Sequence, residues 1–446
     1  MIKKDQMWLL YNICFTIYAL FALPAFALKG KFVRGASSRF GGVPKGIRER
    51  LVGRTVWWVH AVSVGEIGLA VRFADRLRAR VPGAKILFTT MTAAGYEVAR
   101  KIKNEEDDLL YVPLDFPFCV NRFIRETGPA ALILFETELW PNLIRELSRR
   151  HVPVFLVNGR ISDKAFPKYR RARIFLKAVL QKISVFCVQD ERMRSRFLAL
   201  GAQAQKVSVN GNMKYDWEPS HYQEELARPL RRAVKSGGSF LFIAGSTHEG
   251  EEELLFRMAP ELAAKFPVFR MLVAPRHLTR LLSIEKAAQR VGVSLIKTSS
   301  LSGSEAVNHP AKAVFLLDQV GILAPLYDSA DLVFIGGSLV KAGGHNLVEP
   351  AVYAKPILFG PNMDNFLEMS KEFRDGHAAV QVRNVEELKQ EIERLIHDRA
   401  RMQALGRAAQ ALARRHQGAT EKNLDTVLSN LESKKGVLST YEKIIR

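Results

Sequence analysis

The sequence predicts an α/β protein built from two doubly wound halves with a cleft between them, preceded by an N-terminal membrane-anchor helix. Three observations predict it. Short apolar runs alternate with longer amphipathic stretches along the 446 residues, a pattern of parallel strands buried on both faces and covered by helices. The alternation breaks once, in a polar, basic stretch at 216–238 that carries Pro219, Pro229 and Gly237-Gly238, and then restarts. An uncharged segment, Met7–Leu28, precedes everything else.

That first segment is long enough to span a bilayer as a helix or to lie within one leaflet. Lys3 and Lys4 precede it, and Lys29, Lys31, Arg34 and Arg39 follow. This cation excess keeps the body that follows on the cytoplasmic side. Ala25-Phe26-Ala27 mimics a signal-peptide cleavage site, but the apolar region is longer than such peptides use. The expectation is a retained anchor over 1–30, held at the inner membrane. A buried core helix is not expected, because polar residues do not recur at helical spacing.

The first half, 31–218, reads as strands at Trp57–Val62, Ile86–Thr90, Leu109–Pro113, Ala131–Phe135, Val154–Asn158 and Val185–Gln189, with helices between. A linker is placed at 219–238. The second half, 239–446, reads as strands at Phe240–Ala244, Phe269–Ala274, Val314–Leu317, Leu332–Ile335 and Ile357–Phe359, then a charged helical run from Glu386 to Arg415. Two such halves place ligands at the carboxyl ends of their strands.

The formal net charge is +21, which points to a polyanionic partner: nucleic acid, anionic lipid or a phosphorylated substrate. The alternating aromatic and basic residues of an RNA-binding signature do not occur, so nucleic acid is not expected. Cys14, Cys119 and Cys187 are widely spaced and odd in number; they read as reduced, buried thiols in a cytoplasmic body. No P-loop, no metal-ligand spacing and no G-x-G-x-x-G after the first strand is present. That argues against nucleotide hydrolysis and against a dinucleotide oxidoreductase. Neither a metal nor another cofactor is expected.

The chemistry-bearing clusters all follow strands. Glu66, in His60-Ala-Val-Ser-Val-Gly-Glu66, sits at the turn after the first strand. There its carboxylate can take a proton from an attacking hydroxyl or simply favour a helix N-terminus. Glu136 and Glu138, in Phe135-Glu-Thr-Glu-Leu-Trp-Pro-Asn142, follow another strand; one can line the cleft while the other serves the helix. Asn158-Gly159-Arg160 and Gly211–Asp216 add cationic loops.

In the second half, Ala244-Gly-Ser-Thr-His-Glu-Gly-Glu251 offers a seat for a phosphate or a sugar carboxylate at a helix start. Arg276, in Ala274-Pro-Arg-His277, can pair with a phosphate in a fork. Asp318–Leu323 can present backbone to a base edge. The most informative stretch runs from Asp331 to Pro361. There a strand ends on Gly336-Gly337-Ser338, and Gly343-Gly344 opens a helix-like segment carrying His345, Asn346 and Glu349. Glycines let backbone N–H groups approach a phosphate, and Glu349 can accept from ribose hydroxyls.

Taken together, these segments resemble the 3-deoxy-D-manno-octulosonic acid (Kdo) transferases. The ordered set is the uncharged N-terminus, HAVSVGE, FETELWPN, NGRIS, GNMKYD, AGSTHEGEE, APRH, GGSLVKAGGHNLVEPA and FGPNMDNF. The resemblance covers nearly the whole chain. It implies a GT-B fold of two Rossmann-like domains, CMP-Kdo as donor, a lipid A precursor (lipid IVA) as acceptor, and an inverting, metal-independent transfer in lipopolysaccharide core synthesis. It implies Glu66 as the general base. It also implies CMP contacts from Pro275 and Arg276, from Val320, Gly321 and Ile322, and from Asn346, Leu347, Val348 and Glu349. Many relatives carry a Gly-Glu pair where this chain has Gly321-Ile322; a side-chain contact there would be lost, a backbone contact kept. Two other readings stay open: a GT-B transferase using a UDP-sugar on a membrane lipid, and a non-catalytic membrane-bound nucleotide-sugar-binding protein.

Overall fold

The computed structural model describes residues 4–28, 35–217, 221–235, 238–301 and 313–433. They fall into two units, one made of the residues up to Met213 with those from Gly418 onward, the other of Lys214–Gln417.

The first unit holds β1 (Val56–His60), β2 (Lys85–Thr90), β3 (Asp108–Tyr111), β4 (Pro129–Phe135), β5 (Val154–Gly159), β6 (Val185–Val188) and β7 (Val207–Val209). They form a seven-stranded sheet in the order β3-β2-β1-β4-β5-β6-β7, parallel throughout. Side chains of β1 alternate between its faces. Val56 and Trp58 join one core with Phe123, Leu134 and Phe186; Trp57 and Val59 join the other with Phe73, Phe135 and Phe155. Both faces are dry, which is why β1 reads as a continuous apolar run. The chain winds outward from β1 to β3 and returns at β4 beside β1. The crevice beyond the β1 and β4 carboxyl ends is thus the switch point of this sheet.

The second unit repeats the plan with β8 (Phe240–Thr247), β9 (Phe269–Pro275), β10 (Leu295–Lys297), β11 (Val314–Leu316), β12 (Leu332–Ile335), β13 (Ile357–Phe359) and β14 (Val380–Gln381). Its order is β10-β11-β9-β8-β12-β13-β14, again parallel, with the reversal between β8 and β12. Leu241 and Ile243 point into one core, Phe242 and Ala244 into the other.

The expected strands are present with ends shifted by a few residues. β7, β10 and β14 were not expected. They are outer strands of two or three residues, too short to show a period. The expected linker at 219–238 is not one: His221–Val234 is a helix, and Ala227, Leu230 and Val234 on one face are buried in the second unit's core. Nor do all residues after 239 belong to the second unit. The Ala419–Ser433 helix covers the first sheet through Leu424, Val427 and Leu431, and Asn423 Oδ1 accepts from the β5 amide of Asn158 at 3.1 Å.

The N-terminal segment forms α1 (Lys4–Leu28). Among the described residues no helix is long and apolar enough to cross a membrane. One face of α1 packs on the first unit. Trp8 and Ala19 are buried and Tyr11, Asn12 and Phe15 half-buried, so the segment has a buried face although its polar residues show no helical spacing; Cys14, expected to be buried, is exposed. Trp8 meets the Phe175 ring edge-on at 5.4 Å, and Phe15 meets Phe116 at 5.0 Å. The Tyr11 hydroxyl donates to Asp115 Oδ2 at 2.7 Å, and Asn142 Nδ2 donates to Asn12 Oδ1 at 2.7 Å.

Candidate active site

Three carboxylates gather at the β1–β4 switch point. Glu66 lies in the first turn of the Val64–Arg80 helix and is almost wholly buried. Its Oε1 accepts from the Ser63 hydroxyl at 2.7 Å and its Oε2 from the Val62 amide at 2.9 Å, while Ser63 Oγ accepts from the Glu66 amide at 3.2 Å. This is a capping-box arrangement, so the helix-terminus role considered for Glu66 is present. It also fixes the carboxylate at the strand end. Burial raises its proton affinity first and the nearby Glu136 second; the hydrogen bonds it accepts work against them.

Glu138 is pushed up to about 7, chiefly by burial, then by Glu66 and Glu136. Glu136 itself has a left-handed backbone, φ 55°, unusual for a residue with a side chain. Its amide still donates to Val157 O at 3.0 Å, so β5 holds the strained turn in place. His60, at the end of β1, is fully buried and held neutral, its pKa shifted down to about 4 by desolvation. Glu66 and Glu138, both with raised proton affinity and in one crevice, can hold and release a proton.

Two motif residues turn out to be structural. Asn158 Oδ1 accepts from the Met213 amide at 3.0 Å, tying loop to loop. Asn142 donates through Nδ2 to Asp115 O at 2.6 Å, and Asp115 caps the amides of Asn142 and Leu143 at 2.9 and 2.8 Å. Asp115 was missed by the sequence reading; its only signal is an acidic residue between apolar ones before Pro117.

At the β8–β12 switch point the expected phosphate seat is otherwise engaged. Glu251, Glu252 and Glu253 occupy the first turn of the Glu251–Lys265 helix. Glu251 is fully buried and works as a buckle. Its Oε2 accepts from the amides of His248 (2.9 Å) and Gly337 (2.6 Å), its Oε1 from those of Ser338 (3.1 Å) and Leu339 (3.0 Å). Glu252 takes a bidentate bond from Arg280 at 2.9 and 3.1 Å and the Thr247 hydroxyl at 3.0 Å. Gly336 permits the close approach: a Cβ there would lie 2.6 Å from Ser246 O.

Around these buckles lie exposed Arg276 and His277 at the end of β9, and half-buried His248 and His345. The helix expected after Gly343-Gly344 is a single turn, Val348–Ala351. Asn346 Oδ1 accepts from the Val348 amide at 3.1 Å, and half-buried Glu349 sits in that turn. Pro275, Ile322, Leu347 and Val348 are buried, so none of them presents a side chain to a ligand. The Ile322 position therefore has no side chain to offer. Val320 is exposed, and Gly321, at φ 88°, accepts from Gln223 Nε2 at 2.9 Å.

Two doubly wound parallel sheets, each with charged groups at its switch point, give an architecture of the GT-B type. Residues 34–217 match the family model for the 3-deoxy-D-manno-octulosonic-acid transferases. The chain is 32% identical to a 3-deoxy-D-manno-octulosonic acid transferase of Haemophilus influenzae, over 84% of its own length and 87% of that protein's. It is 33% identical to a bifunctional glycosyltransferase/methyltransferase of Fusobacterium nucleatum over 77% of its length, and spans about half (53%) of that longer protein. The fold is also that of a UDP-GlcNAc 2-epimerase of Neisseria meningitidis, with a TM-score of 0.57 at 12% identity over 84% of this chain. The chain belongs to the Kdo transferase family and is a glycosyltransferase.

Proposed function

We propose that this chain transfers Kdo, with inversion, from CMP-Kdo to a lipid A precursor such as lipid IVA. The observation that carries this reading is the buried carboxylate Glu66 at the β1–β4 switch point of a chain from this family. In the proposed step a hydroxyl oxygen of the acceptor attacks the anomeric carbon of the donor sugar. The new C–O bond forms as the bond to the CMP phosphate breaks, and that electron pair leaves on the phosphate oxygen. The hydroxyl proton passes to Glu66, whose raised proton affinity suits it to receive one. CMP is a good leaving group, so one base and groups that hold the phosphate suffice. Arg276, the backbone at Gly321 and the loop from Asn346 to Glu349 are assigned to CMP.

The same reading places the chain on the cytoplasmic face of the inner membrane, where an anionic lipid acceptor resides. Its support is the outer side of α1. Leu9, Leu10, Ile13, Ile17, Leu20 and Phe21 are exposed there, and Phe118 and Ile174 are exposed on segments next to the helix's aromatic contacts. Lys168, Arg170, Arg171 and Arg173 lie on the neighbouring helices. An apolar face bordered by cations fits an in-plane seat in an anionic leaflet. Incubation with CMP-Kdo and lipid IVA, with product mass as readout, tests the proposal. A mass increase of one or more Kdo residues is expected; turnover only with UDP-sugars, or none, overturns it.

A further inference from the structure

The pair His248 and His345 has no part in the step above, yet it is built with care. The two residues are 97 positions apart, and their Nε2 atoms lie 3.0 Å from each other. The rings stack at 5.2 Å with an interplanar angle of 18°, and His277 meets His248 edge-on at 5.8 Å. The His248 ring lies flush on the glycine loop. Gly337 has φ 67°, and a Cβ there would be 3.0 Å from His248 Cδ2. The His248 amide is fixed by Glu251.

At that separation one Nε2 carries a proton and the other accepts it. Burial first, then Arg276 and the neighbouring imidazoles, hold the His345 ring neutral. Two carboxylates beside the pair are already engaged, Glu251 by four amides and Glu252 by Arg280 and Thr247, and Glu249 is exposed. What remains is a half-buried cluster of imidazole N–H groups beside one guanidinium, and among the described residues no such group is arranged to hold a metal ion. Its complement is an anion that accepts hydrogen bonds.

A ulosonic acid donor carries two anionic groups side by side, the phosphodiester and the carboxylate on the anomeric carbon. On the assignment of CMP-Kdo as donor, on which this rests, we infer that the His248–His345 pair seats the sugar carboxylate while Arg276 takes the phosphate. The proton between the two Nε2 atoms turns onto the carboxylate without any proton uptake. The pair then favours ulosonic acid donors over ordinary nucleotide sugars, which lack the carboxylate that would accept its N–H.

The test compares His345→Ala, His248→Ala and His345→Gln with the full-length wild type. Two constants are read for each: KM for CMP-Kdo and the inhibition constant of CMP. The alanine variants are expected to raise KM about tenfold or more, the loss typical of one hydrogen bond to a charged group. CMP inhibition should stay within about twofold, and His345→Gln, which keeps a donor near the Nε2 position, should recover part of KM. Arg276→Ala should weaken both constants. Equal loss of CMP inhibition in the alanine variants would assign the pair to the phosphate and overturn the inference, as would an unchanged KM. If His248→Ala fails to fold, the His345 variants carry the comparison. Absence of wild-type turnover with CMP-Kdo overturns the donor assignment, and the pair's role falls with it.

Discussion

Glu66 does two jobs with one carboxylate: it closes a capping box and it faces the switch point. Glu66→Gln keeps a hydrogen-bonding side chain in the box, so the fold and CMP binding should survive. Loss of the proton acceptor should lower transfer by about 10²–10⁴-fold, and near-wild-type turnover in that variant would remove Glu66 from the chemistry. Glu138 makes a pH prediction. Its proton is held more tightly in the folded state, so it favours folding in acid. That contribution is lost as pH rises from the ordinary 4.5 toward about 7. Glu138→Gln has no such slope, and its urea midpoint should change less than the wild type's between about pH 5 and about pH 7.5. Equal slopes would show that Glu138 does not sense the cluster. The position of Glu66 was legible in the sequence because a strand end is a local feature. The meeting of His248 with His345 was not, since it depends on β8 and β12 being neighbours, which no local pattern reports. Ile322 shows the reverse case: the motif was visible, but that its side chain points into the core was not.

At the scale of elements, α1 is the instructive case. Its lack of charge predicted a membrane role, and its second face, Trp8, Tyr11, Asn12 and Phe15, went unread because aromatic residues pass as apolar. Asp115 joins this face to the Pro141–Arg149 helix, and burial pushes its carboxyl up to about 7. Tyr11→Phe removes one donor to that buried group. A loss of about 1–3 kcal/mol follows, and amide exchange in α1 should quicken by about tenfold or more while the β1 and β4 amides keep their protection. Uniform loss of protection across the first unit would mean that α1 is part of its core rather than a docked element. The strands of both sheets were readable because each is apolar on both faces. The His221–Val234 helix was hidden by its own exposed side, where prolines and arginines give the composition of a linker.

For the whole molecule, deleting the residues before Lys29 should leave both sheets folded and weaken binding to anionic vesicles. The binding that remains should fall as salt rises, because only the cationic surface is left to attract lipid. Salt-independent binding by the shortened chain would place the membrane contact elsewhere. The Ala419–Ser433 helix has another consequence, one of timing. Synthesis runs from the N-terminus, so the first sheet emerges from the ribosome with one apolar flank bare. It waits while the entire second unit is made before its last covering helix arrives. Premature termination anywhere in the second unit should therefore yield not a stable half-enzyme but a sticky one, a client for chaperones. The two catalytic halves must be produced together or not at all.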